Sequence, residues 1–365
     1  MLKNKKYGIK DIAKIANVSI GTIDRVLHNR GRVSDLTKQK VEEIISRLNY
    51  KPNIMARSLV INKKYTIALL TVDYNEEYYW HQVYEGAQNI MTKSDKLGLS
   101  VEVYLYSIKS KKSFEECGRK ILKSKPDGII MAPIFLNEGL SLYERCRNLS
   151  IPVIMFDTNI PDTKPLTFIG TDSYQGGRVM AELLTLSADK NGKFAILHFD
   201  LELDNSPQIM ERQRGFISYL NEKSPEREYL VRVLNNSRHS YDRHLDEILK
   251  KDKISGIFVT TATTYYAGFF LREKNPKGII LGGYDLVDNN IRLLRTGNIR
   301  FLINQNPRRQ VEQSVMTFSD FLIYKQTPNP KTLFPIEIII RNNLPAHSNK
   351  LPIVNHHLDT IKSTT

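Results

Sequence analysis

The chain has 365 residues, of which 41% are hydrophobic and 25% charged, with a formal net charge of +14. That composition excludes wholesale disorder, and the length suffices for two or three domains with real cores. The charge is uneven: residues 1–64 hold 15 Lys and Arg against 5 Asp and Glu, a net of +10, so the remaining 301 residues carry only +4. A basic head on a near-neutral body suggests a polyanion bound by the head. Cys117 and Cys146 form no CxxC and no His/Cys cluster at metal spacing. No metal or cofactor is therefore expected, and a reducing, cytoplasmic compartment is. Lys3, Lys5 and Lys6 could open a signal peptide, but Lys10, Asp11 and Lys14 interrupt any apolar region behind them. No apolar run approaches the ~18 residues needed to span a bilayer.

In chain order, Ile9, Ile12, Ala13 and Ala16 recur at the spacing of a short amphipathic helix. Asn17-Val18 breaks it, and Ser19 is a good N-cap for a second helix. That helix carries Ile23, Val26 and Leu27 on one face and Ile20, Gly21, Asp24 and Arg25 on the other. Two short helices around a tight turn suit a helix-turn-helix, although the bare pattern also fits a pair of core helices. Ser34 can cap a third helix, marked by Val41, Ile44, Ile45 and Leu48, which Tyr50-Lys51-Pro52 ends. Asn53 can cap a further short helix through Leu59. Six residues do not hold a helix in water unaided, so this one should form only against DNA or a symmetry mate.

The run Ile-Lys-Asp-Ile-Ala, Ala-Asn-Val-Ser, Thr-Ile-Asp-Arg-Val-Leu-His, Leu-Asn-Tyr-Lys-Pro-Asn and Ala-Arg-Ser-Leu, spread over residues 8–59, resembles the headpiece of the lactose-repressor (LacI) family. The resemblance implies that the second helix reads the major groove through Ile20, Gly21 and Arg25. Arg25 can take guanine O6 and N7 in bidentate fashion, and Ile20 offers an apolar surface to a thymine methyl. Lys10, Ser19, Thr22 and Arg32 join them as DNA contacts, and His28 either contacts DNA or packs. Asp24 stands where the family usually has a small hydroxyl residue; it would repel phosphate, or pair with Arg25 or Lys10. Asn53, Ala56 and Leu59 match the family's hinge helix, with Leu59 as the lever wedged into a minor-groove step.

From Thr66 onward, apolar runs at 67–70, 101–104, 128–131, 153–156, 194–197, 256–259 and 279–282 alternate with helical stretches, including one near 80–94 and one near 114–122. Repeated β-α units mean parallel sheets covered by helices, and their number suggests two lobes. Ligands in such folds sit beyond the carboxyl ends of strands. The strand-end candidates are Asp73 and Tyr74, followed closely by Tyr78, Tyr79 and Trp80; then Asp157 and Asn159, Thr263, and Asp285. Trp80 either stacks on a sugar ring or is a buried core residue, and any one strand-end Asp or Asn can instead cap the next helix.

The body is similar, more loosely, to the same family's effector domain, which is related to periplasmic sugar-binding proteins. The resemblance carries ligand-gripping roles to Asp157, Arg212, Asp285 and Gln305, and it leaves Asp172 as a helix cap. Ala262-Thr263 replaces the family's common Asn-Asp. The chain is expected to cross between lobes near 161–166, 285–305 and 327–334, with one late strand over 330–341 and a polar tail from His347. No GxGxxG follows a strand, and Walker, GxSxG and HExxH motifs are absent, so no enzyme is expected. The expected chain is multidomain. It has an all-α helix-turn-helix headpiece (1–52), a hinge helix and linker (53–64), and a two-lobed α/β periplasmic-binding-protein-like domain for effector binding and dimerisation (65–365). The expected function is a homodimeric DNA-binding transcription regulator, a repressor, with double-stranded operator DNA and a small-molecule, sugar-like effector as partners; release of DNA by the ligand is the commoner behaviour in the family it resembles. A transport-type sugar receptor fits the body alone, but it would need an export signal and has no use for the basic head.

Overall fold

The computed structural model describes residues 8–27, 31, 33–48, 64–94, 98–199, 206–234, 238–274 and 276–344. The expected contacts His28, Arg32, Asn53, Ala56 and Leu59, with the hinge helix and the polar tail, lie outside the described residues.

The head holds α1 (Ile9–Ala16), α2 (Ile20–Leu27) and α3 (Asp35–Arg47). Asn17 ends α1 in the left-handed conformation at φ 56°, which a short polar side chain tolerates. Ser19 Oγ accepts from the Thr22 amide at 3.1 Å, as an N-cap should. Ser34 caps α3 in the same way through Thr37. Ile12, Ala16, Ile23 and Val41 are fully buried at the centre. Burial of that face turns the other face of α2 outward.

The body has two six-stranded sheets. The first lobe comprises β1 (Tyr65–Val72), α4 (Tyr78–Ser94), β2 (Leu99–Tyr106), α5 (Lys111–Ser124), β3 (Gly128–Met131), α6 (Leu136–Asn148), β4 (Val153–Phe156) and β5 (Thr167–Thr171). The second comprises α7 (Ser173–Ser187), β6 (Lys193–Phe199), α8 (Pro207–Lys223), β7 (Tyr229–Leu234), α9 (Arg238–Lys251), β8 (Ile254–Val259), α10 (Tyr265–Lys274), β9 (Ile280–Tyr284), α11 (Asp288–Thr296) and β10 (Phe301–Asn304). Then α12 (Pro307–Tyr324) returns to pack on α4, β11 (Lys331–Phe334) joins the first sheet and β12 (Glu337–Ile339) the second. The strand orders are β11-β5-β4-β3-β1-β2 and β12-β10-β9-β8-β6-β7. Pairing is parallel except for β12, which runs antiparallel to β10. Strands buried on both faces, such as β3 and β4, read as unbroken apolar runs for that reason.

The interlobe crossings fall at other places than the sequence suggests. The first lies at Asp172, not at 161–166, because Thr167–Thr171 is itself a strand of the first sheet. The second lies at 305–306, at the end of the expected interval, and the third at 335–336. The single late strand is in fact two, one in each lobe, parted by Pro335, which has no amide to donate to either ladder.

Helices α7 and α8 touch backbone to backbone. A Cβ on Gly177 would lie 1.9 Å from the Arg212 carbonyl oxygen, and one on Gly215 would lie 1.9 Å from that of Tyr174. Gly177→Ala must therefore push the helices apart, at an expected cost of about 2–3 kcal/mol. Denaturant unfolding measures it; a loss under about 0.5 kcal/mol, the range of neutral surface changes, would mean that the helices separate freely.

Candidate functional site

The exposed face of α2 is one site. Lys10, Ser19, Ile20, Gly21 and Arg25 are exposed and Thr22 is half-buried. Ile20 keeps 45% of its surface in solvent, so its side chain is free to meet another surface. An added Cβ on Gly21 meets nothing nearer than Ser19 Oγ at 3.6 Å, so this stretch of α2 can approach another surface closely.

The second site is a cleft of about 700 Å³ between the lobes. Its polar part is a bonded network grown from strand ends. Asp157 follows β4 and Asp285 follows β9, both left-handed, at φ 63° and 67°. Arg212 on α8 is 2% exposed. It donates through Nη1 to the Thr260 carbonyl at 2.6 Å and through Nη2 to Gln305 Oε1 at 2.5 Å. Its guanidinium lies 3.8 Å from the Tyr284 ring centroid. Gln305 Nε2 donates to Asp285 Oδ2 at 2.8 Å. Gln208, one turn ahead of Arg212, donates to Gln305 Oε1 at 3.1 Å.

The network crosses the cleft. Thr158 Oγ1, of the first lobe, lies 3.0 Å from Asp157 Oδ2 and 3.2 Å from Gln208 Oε1 of the second. Tyr79 OH donates a short hydrogen bond to Asp157 Oδ1. Gln310 of α12 joins this to the crossing: it accepts from the Asp157 amide at 3.0 Å and donates to the Gln305 carbonyl at 2.8 Å. Asn290 ties the second lobe's loops together by donating to the carbonyls of Ala262, Tyr284 and Asp285.

Burial pushes the Asp285 carboxyl up to about 7, against the opposing pull of Arg212 and Gln305. Burial also raises Asp157, opposed first by the Tyr79 hydroxyl and then by Arg212. Asp285 Oδ1 and Arg212 Nε are buried with no hydrogen-bond partner among the described residues. Buried polar atoms left so are expensive, and they favour a polyhydroxylated ligand that supplies donors and acceptors together.

Of the expected cleft residues, Trp80, Asp157, Arg212, Thr263, Asp285 and Gln305 line this space. Trp80 is 4% exposed and meets the Tyr79 ring edge-on, so it is a core residue whose edge reaches the cleft. Asp73, Tyr74 and Asn159 are outside the lining. Asp73 instead holds a turn by accepting from the Asn75 amide, and Tyr74 stacks on Tyr84 at 3.9 Å between ring centroids. Asp172 caps α7 by accepting from the Gln175 amide. Sequence reasoning passed over Gln208 and Thr158 and did not select Tyr79 from its aromatic run. Gln208 was detectable: it lies four residues before Arg212, on the same helix face. Among the described residues no group of His, Cys, Asp and Glu is placed to hold a metal ion.

The fold and cleft define a two-lobed ligand-binding domain of the periplasmic-binding-protein type, carried behind a helix-turn-helix. The chain belongs to that family: residues 67–326 match the periplasmic binding protein domain, and residues 8–53 match the bacterial regulatory proteins of the lacI family. It is 33% identical over 181 residues to the HTH-type transcriptional regulator DegA of Bacillus subtilis, covering 49% of this chain and 52% of that one. Against the ribose operon repressor of Lactococcus lactis it is 26% identical over 286 residues, covering 76% of this chain and 80% of that protein. The chain thus spans about half the length of the first of these relatives. A solved structure assigned as a LacI transcriptional regulator from Bacteroides fragilis superposes with a TM-score of 0.71 at 27% identity, over 77% of this chain and 98% of that one. No described helix is long and apolar enough to cross a membrane.

Proposed function

We propose that the chain is a DNA-binding transcription regulator, acting as a homodimer whose hold on a pseudo-palindromic operator is set by a carbohydrate effector between the lobes. One observation carries this reading: the cleft network is bonded directly into the interlobe crossing. Gln305, which bonds both Arg212 and Asp285, is itself the crossing residue, and Gln310 links its carbonyl to Asp157. A molecule that rearranges these bonds changes the angle between lobes. It acts only by its differential affinity for the two lobe arrangements. The names of the relatives, operon repressors and transcriptional regulators, support the same reading. A transport-type receptor leaves the basic head and the exposed face of α2 without a use.

The test is fluorescence anisotropy on duplexes selected from a random pool, at several salt concentrations, with and without a saccharide panel. Sequence-selective binding that weakens steeply with salt is expected. Failure to bind duplex DNA at low ionic strength, or a monomer in sedimentation at working concentrations, overturns the proposal. Arg25→Ala should relax preference at one symmetric guanine by ~1–3 kcal/mol while sparing non-specific binding. An unchanged selected sequence would remove Arg25 from base readout.

A further inference from the structure

The cleft is longer than its polar network. Along the carboxyl edge of the second sheet, Gln305 follows β10, Asp285 follows β9, Thr261 lies beyond β8 and Phe199 ends β6, and these four strands are successive neighbours. Three strand spacings separate the first from the last, about 14 Å. All four residues line the same cavity. The first lobe runs alongside: Asp157 follows β4, Phe135 lies beyond β3, Glu77 beyond β1 and Ile108 beyond β2, again on successive strands and again all in the lining. The polar network occupies one end, next to the crossing at 305–306.

The other end has a different chemistry. Phe199, Tyr265 and Tyr266 form a continuous aromatic wall, with ring centroids 5.4 Å apart for Phe199 and Tyr266 and 4.5 Å for the two tyrosines. Both tyrosines are half-buried, so ring surface remains available. Phe135 and Ile108, both half-buried, line the first lobe's side. The tyrosines share one cavity with the first lobe, whose Glu77, Ile108 and Phe135 line the opposite side. The wall and the Arg212 network stand at opposite ends of the strand edge, so the trough offers two separate footholds. A pyranose ring spans roughly one strand spacing and fills a minor part of the cavity.

We propose that the effector is an oligosaccharide of at least two rings. Its terminal ring is held by the Arg212, Asp285 and Gln305 network beside the crossing, and a following ring stacks on Tyr265 and Tyr266. This rests on the carbohydrate reading above and extends it to chain length. A sugar ring has an apolar face that packs on an aromatic ring while its edge hydroxyls stay solvated.

The experiment is titration calorimetry of the full-length protein with length series: glucose, maltose and maltotriose; glucose, cellobiose and cellotriose; xylose, xylobiose and xylotriose; galactose, galactobiose and galactotriose. In at least one series a di- or trisaccharide should bind about ten-fold or more tightly than its monosaccharide, the gain that one aromatic stack supplies. Tyr266→Leu and Tyr265→Leu keep apolar bulk but remove the flat ring. Each should bring the longer sugar close to the monosaccharide's affinity and leave the monosaccharide's own affinity unchanged. A monosaccharide that binds as tightly as every longer member of its series overturns the oligosaccharide proposal alone, and that result needs no variant. A length preference that survives both substitutions overturns the stacking site. Binding of no saccharide in any series overturns the proposal together with the carbohydrate reading, whereas duplex binding tests the regulator reading separately.

Discussion

Arg212→Leu is expected to destabilise the body by about 3–5 kcal/mol and to abolish any effector response, while the headpiece still binds DNA. The leucine roughly fills the volume of the arginine stem, so the loss comes from the partners. The Thr260 carbonyl loses the Arg212 donor, Gln305 Oε1 keeps only the longer bond from Gln208, and Asp285 loses the one guanidinium that opposes its desolvation. Asp285 can limit the damage by keeping its proton, which it does more readily at low pH. The loss should therefore be largest above pH 7 and smaller near pH 6. Denaturant unfolding at both pH values measures this, with operator binding as the functional readout. A loss below about 1 kcal/mol at pH 8 would mean that the guanidinium contributes no net stability, contrary to the usual cost of removing one partner from a buried pair.

Titration of Asp285 should couple stability to pH in the opposite direction from an ordinary carboxylate. Burial lifts it from 3.8 to about 7, so the folded chain holds the proton more tightly than the unfolded one. This group's contribution is fully present below pH 4 and is lost as pH rises through 7. The slope in between is at most about 1.4 kcal/mol per pH unit. Asp157, raised by burial as well, acts in the same direction. Asp285→Asn should thus flatten the dependence of the melting temperature on pH between 5 and 8, with the largest gain in stability at the alkaline end. A ligand hydroxyl that donates to the carboxylate prefers the ionised form. Effector affinity of the native protein should therefore fall by up to about ten-fold per pH unit below 7. For Asp285→Asn the affinity should be lower by about ten- to a hundred-fold, the worth of a hydrogen bond to a charged group. An affinity independent of pH from 5 to 8 would remove Asp285 from the ligand's contacts.

His198, on β6, is fully buried. Its ring nitrogens lie 2.8 Å from Thr260 Oγ1 and 2.8 Å from Gln213 Oε1, and burial lowers its pKa below the ordinary value. With Gln213 Oε1 as acceptor, Nε2 carries the proton and Nδ1 accepts from Thr260. Thr260 is thus fixed from below while its carbonyl takes the Arg212 guanidinium from above.

Local patterning alone determined the headpiece and most of the body's strands. Ile12, Ala16, Ile23 and Val41 stand at helical spacing and are buried together, and short runs such as Ile129-Ile130-Met131 between helical stretches fit strands covered on both faces. The same local information places Asp285 and Asp157 at strand ends. It misplaced Asp73, whose carboxylate closes a turn, because capping and ligand binding use the same residue types in the same positions. It also overlooked β5, β7 and β10 as strands: Thr167–Thr171 and Tyr229–Leu234 mix polar and apolar residues, and Phe301–Asn304 offers only three apolar residues in a row.

What the tertiary structure decided is convergence. Tyr79, Thr158, Gln208 and Gln305 come from four segments more than 45 residues apart, and nothing in the neighbourhood of any one of them names the other three. Their meeting depends on where the chain crosses between lobes and on how closely α7 and α8 approach through Gly177 and Gly215. Periodicity reports which face of an element is covered, because burial acts on each residue through its own side chain. Which elements share a cleft depends on sheet order and crossing points, which are set by contacts far apart in the chain.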